Sequence, residues 1–164
     1  MNVVYLLLGS NLLDRSASLQ RARTEICARI GDITRESSIY ESEPWGFQAD
    51  HLFLNQVVRV ETGLNPFQLL KEILKIEADL GRNRDVHGNG YTSRPIDIDI
   101  LFFNDEIISH SSLTIPHPGI PDRMFTLLPL SELDRTMIHP GFHKSIGEMM
   151  SECQDQLSVY PYHP

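Results

Sequence analysis

Isoleucine and aspartate alternate past the middle of the chain, and this run constrains the fold more than any other feature of the sequence. The sequence there is Ile96-Asp97-Ile98-Asp99-Ile100-Leu101-Phe102-Phe103. Successive side chains of a β-strand point to opposite faces, so a strand here places the isoleucines and Phe102 on one face and both aspartates on the other. The run therefore predicts a strand that buries one face in a core and carries two carboxylates on the other.

The two aspartates form a candidate metal site. Their carboxylates would stand about 6.6 Å apart along the strand. Aspartate is depleted in strands and like charges on one face repel, so the pair is unfavourable without a ligand. Mg²⁺ prefers oxygen ligands and is commonly held by one or two carboxylates together with water and substrate phosphates. We predict that Asp97 and Asp99 bind Mg²⁺; the alternative is an acidic face that meets only solvent.

The order of apolar patterns along the chain predicts the fold class. Continuous or alternating apolar runs indicate strands, and apolar spacing of three to four residues between a capping residue and a glycine indicates helices. In chain order the predicted elements are a strand at 3–8, a helix between an N-cap at Asp14 or Ser16 and a stop at Gly31, strands at 33–41 and 53–61, a helix between Asn65-Pro66 and Gly81, and the strand at 96–103. This order predicts an α+β, ferredoxin-like βαββαβ sandwich with both helices on one face of the sheet.

The remaining residues form a C-terminal extension of the same domain. We expect a turn at Asn104-Asp105 that leads into a short strand at 106–108, then a loop, a helix at 127–133 and a helix that begins near Ser145. The sequence contains no repeat or linker, so residues 1–164 are predicted to be one domain. We expect the tail from about residue 158 to be weakly ordered.

Glu77 is an unexpected residue in the second predicted helix. It follows the spacing of the apolar residues that we predict to face inward, which are Phe67, Leu70, Ile73, Leu74 and Leu80. It also lies near the negative end of the helix, where a carboxylate is unfavourable without a partner. An internal ion pair with a nearby arginine and a contact to a ligand's hydrogen-bond donors both explain it.

Composition excludes several classes of function. The chain has 22 acidic and 14 basic residues, a net charge of −8, which argues against a nucleic-acid-binding surface. Arg82, Arg84 and Arg94 are nevertheless close in sequence, which indicates either a site for a small anionic ligand or a solvated face. Two distant cysteines indicate neither a disulfide framework nor a zinc site, and no apolar run approaches membrane-spanning length. We expect a cytoplasmic protein, most simply a monomer.

Any ATP site in this chain differs from that of P-loop proteins. The sequence contains no GxxxxGK[ST] motif, so backbone amides of a P-loop are not available to hold phosphates. Arginines and Mg²⁺ would have to supply the charge that phosphoryl transfer requires.

Six short motifs, in the same order, resemble the 6-hydroxymethyl-7,8-dihydropterin pyrophosphokinase family. Each is weakly specific alone, but together they extend from residue 3 to about residue 133. They are Leu8-Gly9-Ser10-Asn11-Leu12, Tyr40-Glu41-Ser42-Glu43-Pro44-Trp45-Gly46, Phe53-Leu54-Asn55, Glu77-Ala78-Asp79-Leu80-Gly81-Arg82-Asn83-Arg84, Arg94-Pro95-Ile96-Asp97-Ile98-Asp99-Ile100-Leu101, and Pro116-His117-Pro118 with Arg123 and Phe125. The family's fold is ferredoxin-like, in agreement with the order of the predicted elements.

The resemblance implies a reaction and a set of site residues. Pyrophosphate would pass from ATP to the hydroxymethyl group of the reduced pterin, releasing AMP, with two Mg²⁺ ions held by Asp97 and Asp99. Arg82 and Arg94 match catalytic residues of the family. The positions that match ATP contacts are Glu77, Arg84, Ile100, Thr114, His117 and Arg123.

The resemblance also implies a pterin site. The flat ring would stack between Phe53 and Phe125, and Asn55 would bind its amide edge with a donor and an acceptor. The remaining contacts would come from the chain at Ser42, Glu43, Pro44 and Trp45. Ordinary core filling is the alternative for both phenylalanines.

Two other functions are compatible with parts of the sequence. A polymerase-type nucleotidyltransferase also combines a Gly-Ser turn with an Asp-x-Asp strand, but it would release pyrophosphate and adenylate its acceptor. A ferredoxin-like regulatory module would bind a small ligand without turnover. Product analysis separates all three.

Overall fold

The computed structural model describes residues 1–12, 14–43, 52–81 and 95–164, in which helices lie on both faces of a central sheet. The elements, in chain order, are β1 (Asn2–Ser10), α1 (Arg15–Arg29), β2 (Gly31–Glu36), β3 (Tyr40–Ser42), β4 (Phe53–Thr62), α2 (Pro66–Asp79), β5 (Asp97–Phe103), β6 (Ile108–His110), β7 (Leu113–Ile115), a short 3₁₀ helix (Ile120–Asp122), α3 (Met124–Asp134), α4 (Ile146–Glu152) and β8 (Val159–Pro161).

The central sheet is antiparallel and has the predicted ferredoxin-like topology. β1 lies between β4 and β5, and the strand order is β5-β1-β4-β3-β8, with β2 also paired to β4. β2 and β3 pair with successive parts of β4, so they act as one interrupted strand of the βαββαβ unit. The α+β class predicted from the sequence is therefore confirmed.

The interruption between β2 and β3 falls at residues 37–39, inside the single strand that we predicted at 33–41. Here the Val57 N–H donates to Ser37 Oγ at 3.0 Å, and the Ser37 N–H donates to the Val57 carbonyl at 2.9 Å. The Gln56 side chain donates to the Ser37 carbonyl at 2.8 Å. Side chains thus replace ladder bonds at the break and keep the buried backbone groups satisfied.

Helices α1 and α2 cover one face of the sheet, as predicted. Both begin at the expected caps: Asp14 Oδ1 accepts the Ala17 N–H at 3.1 Å, and Asn65 forms a capping box with Gln68. The core between these helices and the sheet contains Val4, Leu6, Leu8, Leu19, Ile26, Leu69, Ile73, Ile98, Ile100 and Phe103. The opposite face packs against α3 and α4 through Tyr5, Leu7, Val57, Leu101, Phe102, Leu127, Leu130, Ile146 and Met149.

The inward face of α2 differs from the predicted one. Its buried residues are Leu69, Ile73, Ile76 and Glu77, whereas Phe67 and Leu74 are 46% and 53% exposed. The two stripes are adjacent on the helix, so apolar spacing alone does not decide between them. The Phe67 ring instead makes an edge contact with His110 of the β6–β7 hairpin, with ring centroids 5.2 Å apart.

Phe102 lies on the opposite face from the predicted one, because β5 contains a bulge. The register between β1 and β5 shifts between Tyr5 and Leu6, which lie opposite Phe102 and Ile100. Leu101 and Phe102 therefore both pack on the α3 face, and Phe103 joins the isoleucines in the other core. The predicted alternation holds from Asp97 to Ile100 and fails where the extra residue enters.

The C-terminal extension contains the predicted turn and both predicted helices. Asn104 adopts a positive φ of 48°, and Ser145 caps α4 with a capping box to Glu148. The strand after the turn begins later than expected, at Ile108, and pairs only with β7 among the described strands. The tail differs from the weakly ordered segment that we expected, because Val159–Pro161 pairs with β3 as β8.

Candidate active site

The sheet face that meets α3 is apolar at one end and polar at the other. The apolar end consists of Tyr5, Leu7, Val57, Leu101 and Phe102, which pack against α3 and α4. We define the polar end as Gly9, Ser42, Phe53, Asn55, Asp97 and Asp99, which share this face by strand register. The six residues come from four strands and from four of the six motifs, with Asp97 and Asp99 contributed by a single strand.

Gly9 lies at the centre of the polar end. It is directly opposite Asn55 of β4 on one side and Asp97 of β5 on the other. A Cβ on Gly9 would lie 3.6 Å from Asn55 Oδ1 and 3.9 Å from Phe53 Cδ1, so these side chains belong to the same face. Two strand spacings, about 10 Å, separate Asp97 from Asn55, and the strand between them carries no side chain there.

Asn55 and Ser42 form a buried polar pair on neighbouring strands. Asn55 Nδ2 donates to Ser42 Oγ at 2.7 Å, and the two residues are 3% and 1% exposed. This bond sets the orientation of the amide, which carries both a donor and an acceptor. Phe53 is half-buried at the start of β4, opposite Ser42, and Glu43 is exposed directly after β3.

Asp97 and Asp99 are half-buried, whereas Ile98 and Ile100 between and after them are buried in the opposite core. The predicted separation of carboxylates from isoleucines is confirmed. Among the described residues no cluster of three or more potential ligands from His, Cys, Asp and Glu occurs. Two half-buried carboxylates on one face fit Mg²⁺ that takes its other ligands from water and phosphate.

Glu77 links α2 to the aspartate strand. It is 3% exposed, and its Oε2 accepts the Ile98 N–H at 2.9 Å. β5 lies at one edge of the described sheet, so this carboxylate takes the place of a neighbouring strand. The bond holds the backbone between Asp97 and Asp99. It gives the Glu77 carboxylate a hydrogen-bond donor within the protein.

His117 is held beside β5 by its backbone. Its backbone N–H donates to the Leu101 carbonyl at 3.0 Å, and its ring Nδ1 accepts the Gly119 N–H at 2.9 Å. Burial, and secondarily the positive charge of Arg123, lowers the pKa of His117 from 6.5 to about 4. The ring is therefore neutral near pH 7, and since Nδ1 is an acceptor, Nε2 carries the proton.

Arg123 packs closely on Gly119 just before α3. A Cβ on Gly119 would lie 2.7 Å from both Cζ and Nε of Arg123, so the position requires glycine while the guanidinium stays there. The guanidinium also lies 5.8 Å from the centroid of the Phe125 ring. Arg123 and Phe125 thus flank the first residue of α3, and Phe125 is half-buried at the edge of the apolar end.

Of the other predicted site residues, two are described by the structure and five lie outside its described residues. The Ile100 side chain is in the core beneath α1 and α2, so only its backbone could meet a ligand, and Thr114 is exposed on β7. Five predicted residues lie outside the described part of the chain: Pro44, Trp45, Arg82, Arg84 and Arg94.

Tyr40 and Glu132 are neighbours of the site that sequence reasoning missed. Tyr40 lies opposite Asn55, and its hydroxyl donates to Glu132 Oε1 of α3 at 2.7 Å. Glu132 Oε2 also accepts the Ser38 N–H at 2.7 Å. Burial, followed by the bond to Glu132, raises the pKa of Tyr40 to about 12. No local signal could reveal a pair separated by 92 residues.

Comparison with known proteins identifies relatives of the whole domain. A pyrophosphokinase from Bacillus subtilis, named 2-amino-4-hydroxy-6-hydroxymethyldihydropteridine pyrophosphokinase, is 41% identical over 133 residues, covering 80% of this chain and 78% of the relative. The protein of the same name from Aquifex aeolicus is 39% identical over 152 residues, covering 93% and 92%.

Solved structures support the fold. A Plasmodium falciparum HPPK-DHPS triple mutant with SDX-DHP superimposes with a TM-score of 0.73 at 20% identity, covering 92% of this chain and 44% of that one. An HPPK-DHPS in complex with substrates gives a TM-score of 0.71 at 17% identity and covers 92% and 43%. The chain thus spans less than half the length of these structures.

The sequence pattern of the family described as 7,8-dihydro-6-hydroxymethylpterin-pyrophosphokinase matches residues 5–135. That range includes every residue of the polar end, both helices that cover the opposite face, and the segment from His117 to Phe125. The chain belongs to the 7,8-dihydro-6-hydroxymethylpterin-pyrophosphokinase family.

Proposed function

We propose that the chain transfers pyrophosphate from ATP to 6-hydroxymethyl-7,8-dihydropterin, giving AMP and the pterin diphosphate, a step of folate biosynthesis. The observation that carries this proposal is the register across the polar end. Asp97, Gly9 and Asn55 lie side by side on β5, β1 and β4. The Asp97 carboxylate, which is suited to bind a metal ion on a phosphate, and the Asn55 amide, which is suited to bind a heterocycle, thus share one face, about two strand spacings apart.

The pterin would bind at the β3–β4 side of the polar end. The amide of Asn55, oriented by Ser42, can pair with the ring's amide edge, which offers the complementary donor and acceptor. Phe53 is half-buried on the same face and Phe125 is the second residue of α3, and both rings are suited to stacking on a flat heterocycle. Backbone at Glu43, Pro44 and Trp45 would complete the site in this proposal.

The triphosphate would bind at the β5 side. Asp97 and Asp99 would hold two Mg²⁺ ions, which supply charge neutralisation for the phosphates when bound. Arg123 provides a fixed positive charge. His117 provides an N–H donor at Nε2 of a neutral ring, because Nδ1 accepts the Gly119 N–H. Glu77 acts through the Ile98 backbone by holding the strand that carries both aspartates.

Arg82 and Arg94 are proposed to stabilise charge that develops in the transition state. Replacing either with Ala should lower turnover far more than it weakens pterin binding. Steady-state kinetics beside a binding titration would test each residue, and unchanged turnover would remove that arginine from the proposal. Arg84 and Thr114 are proposed as ATP contacts, with Ile100 contributing through its backbone. The cytoplasmic location and monomeric state stay predictions from the sequence.

The deciding experiment mixes the protein with Mg²⁺, ATP and the reduced pterin and identifies both products. We expect AMP and pterin diphosphate in a one-to-one ratio. Release of ADP, or of pyrophosphate with an adenylated pterin, would contradict the proposal and indicate a kinase or a nucleotidyltransferase. Omission of Mg²⁺ should abolish turnover, and binding of the pterin without any product would favour a regulatory module.

A further inference from the structure

The first turn of α3 receives its cap from a distant part of the chain. The N-cap residue of α3 is Arg123, whose guanidinium cannot accept a hydrogen bond. The first turn, Met124-Phe125-Thr126-Leu127, contains no acidic residue. The Met124 N–H donates instead to Asp155 Oδ2 at 3.0 Å, across 31 residues. Asp155 therefore performs the capping that the local sequence lacks.

The Asp155 carboxylate is itself held in place. Its second oxygen, Oδ1, accepts the Leu157 N–H at 3.0 Å in a local turn. A carboxylate at a helix N-terminus is also favoured by the helix dipole. Both oxygens are thus engaged, one by the tail and one by the helix, so that the side chain joins the two segments.

The same tail continues to the other side of the polar end. In β8, Val159 lies opposite Ser42 and Tyr160 lies opposite Glu41. Beyond it, the Tyr162 N–H donates to the Ile39 carbonyl at 2.9 Å. The tail therefore contacts the start of α3 through Asp155 and the whole of β3 through β8, and these elements carry Phe125 and Ser42 respectively.

We propose that Asp155 is a positioning residue for substrate binding. It fixes Arg123 and Phe125 by accepting a hydrogen bond from the N–H of Met124, the residue between them. The proposal rests on the function proposed above, since those two residues are assigned there to the nucleotide and the pterin. Asp155 lies beyond residues 5–135, the range that the family pattern matches, so family membership alone does not assign it a role.

Asp155→Ala tests the proposal in the full-length protein. We expect the pterin Kd and the ATP KM to rise together, each by roughly three- to tenfold, which corresponds to the loss of a typical helix cap. Turnover at saturation should change less, because no group that touches the reacting atoms is lost. Hydrogen exchange at the Met124 amide should become faster. Asp155→Asn keeps an oxygen acceptor and should restore most of both affinities.

Ser145→Ala is the matched control, because it removes the cap of α4, whose first turn bonds to the Arg135 carbonyl at the opposite end of α3 from Arg123 and Phe125. It should lower the melting temperature to a similar degree and leave both affinities unchanged. Unchanged affinities in Asp155→Ala with faster exchange at Met124 would show a purely structural cap and overturn the proposal. Equal losses of affinity in Ser145→Ala would overturn it as well.

A second variant covers the case in which Asp155→Ala does not fold. Met124→Pro removes the same N–H at a helix position where proline is favoured, and the Arg123 backbone, with φ −131° and ψ 105°, suits the residue before proline. We expect the same joint loss of affinity. A wild-type protein that releases no AMP and binds no pterin would refute the proposed function itself, whereas an active wild type with unaltered variants refutes only the positioning role.

Discussion

The two ends of one sheet face differ in composition although the same strands form both. On β1 and β4, Leu7 lies opposite Val57, and one step further along the face Gly9 lies opposite Asn55. On β5 the change from Leu101 to Asp99 comes one step earlier, because Asp99 lies opposite Leu7 and Asp97 lies opposite Gly9. The apolar residues are those that α3 and α4 cover. The comparison shows that the helix layer, rather than the strands, determines where this face becomes available for polar chemistry.

The largest effect should come from the carboxylates of the polar end. Asp97→Asn and Asp99→Asn should each lower turnover about a hundredfold or more, because charge neutralisation at the phosphates is lost. The unliganded protein should be as stable as before or slightly more stable, since one of two like charges is removed. An AMP-release assay beside thermal melts measures both quantities.

Leu101→Ala is the control from the apolar end, two residues from Asp99 on the same face. It should lower the free energy of unfolding by about 2 to 5 kcal/mol and leave turnover per folded molecule unchanged. Mg²⁺ with a non-hydrolysable ATP analogue should raise the melting temperature of the wild type, and this rise should shrink in the aspartate variants only. Aspartate variants that are unstable yet active per folded molecule would contradict the metal assignment.

A smaller effect is expected at two aromatic residues, Phe53 of the polar end and Phe125 at the edge of the apolar end. Phe53→Ala and Phe125→Ala should each weaken pterin binding by about 1 to 3 kcal/mol through lost stacking and apolar burial. Isothermal calorimetry with the reduced pterin gives the affinities. If both variants bind pterin normally and only melt at lower temperature, these residues belong to the core and the predicted sandwich is wrong.

Tyr40→Phe should lower the free energy of unfolding by about 1 kcal/mol, because the bond to Glu132 between β3 and α3 is lost. Burial and Glu132 raise the pKa of Tyr40 from 10.0 to about 12, so the folded protein holds this proton more tightly than the unfolded chain. The associated stabilisation is complete below pH 10 and is lost as the pH rises through about 12. Denaturant titrations should show this loss in the wild type and not in Tyr40→Phe.

The smallest effect should be the pH dependence of His117. Its pKa of about 4 keeps the ring neutral, so the ratio of ATP KM values for His117→Gln and wild type should stay constant between about pH 5.5 and about pH 8. Kinetics across that range test it, and a ratio that changes near pH 6.5 would show an ordinary, exposed histidine. The contribution of His117 to the free energy of unfolding has the opposite pH dependence to that of Tyr40. Because the pKa of His117 is lowered in the folded protein, its contribution is complete above pH 6.5 and is lost as the pH falls towards 4.

Local signals explain why much of the fold could be predicted. Asp14 and Asn65 cap their own helices, and the alternation from Asp97 to Ile100 is a property of consecutive residues. The bulge at Leu101 and the pairing of β8 depend on how separate segments meet, so no local pattern contained them. The inward face of α2 lies between these cases, because two adjacent apolar stripes compete and packing on the sheet selects one.

The site was predictable in its residue types and less so in their connections. The aspartate pair stands out in the sequence because it violates strand preferences. The bonds from Asn55 to Ser42 and from Glu77 to the Ile98 backbone cross strands or elements and became visible only in the structure. Asp155 lacked any signal, because an aspartate in a polar tail is common and its partner is a backbone N–H.

The last strand also affects how molecules meet one another. β3 would otherwise present a row of backbone donors and acceptors at the sheet edge, which is the usual starting point for strand-to-strand aggregation. β8 pairs with that edge but is only three residues long and ends at Pro161, which lacks an N–H. A strand of another molecule that pairs with β8 would therefore form few backbone hydrogen bonds. The tail closes the β3 edge of the sheet and protects that edge against pairing with a strand of another molecule.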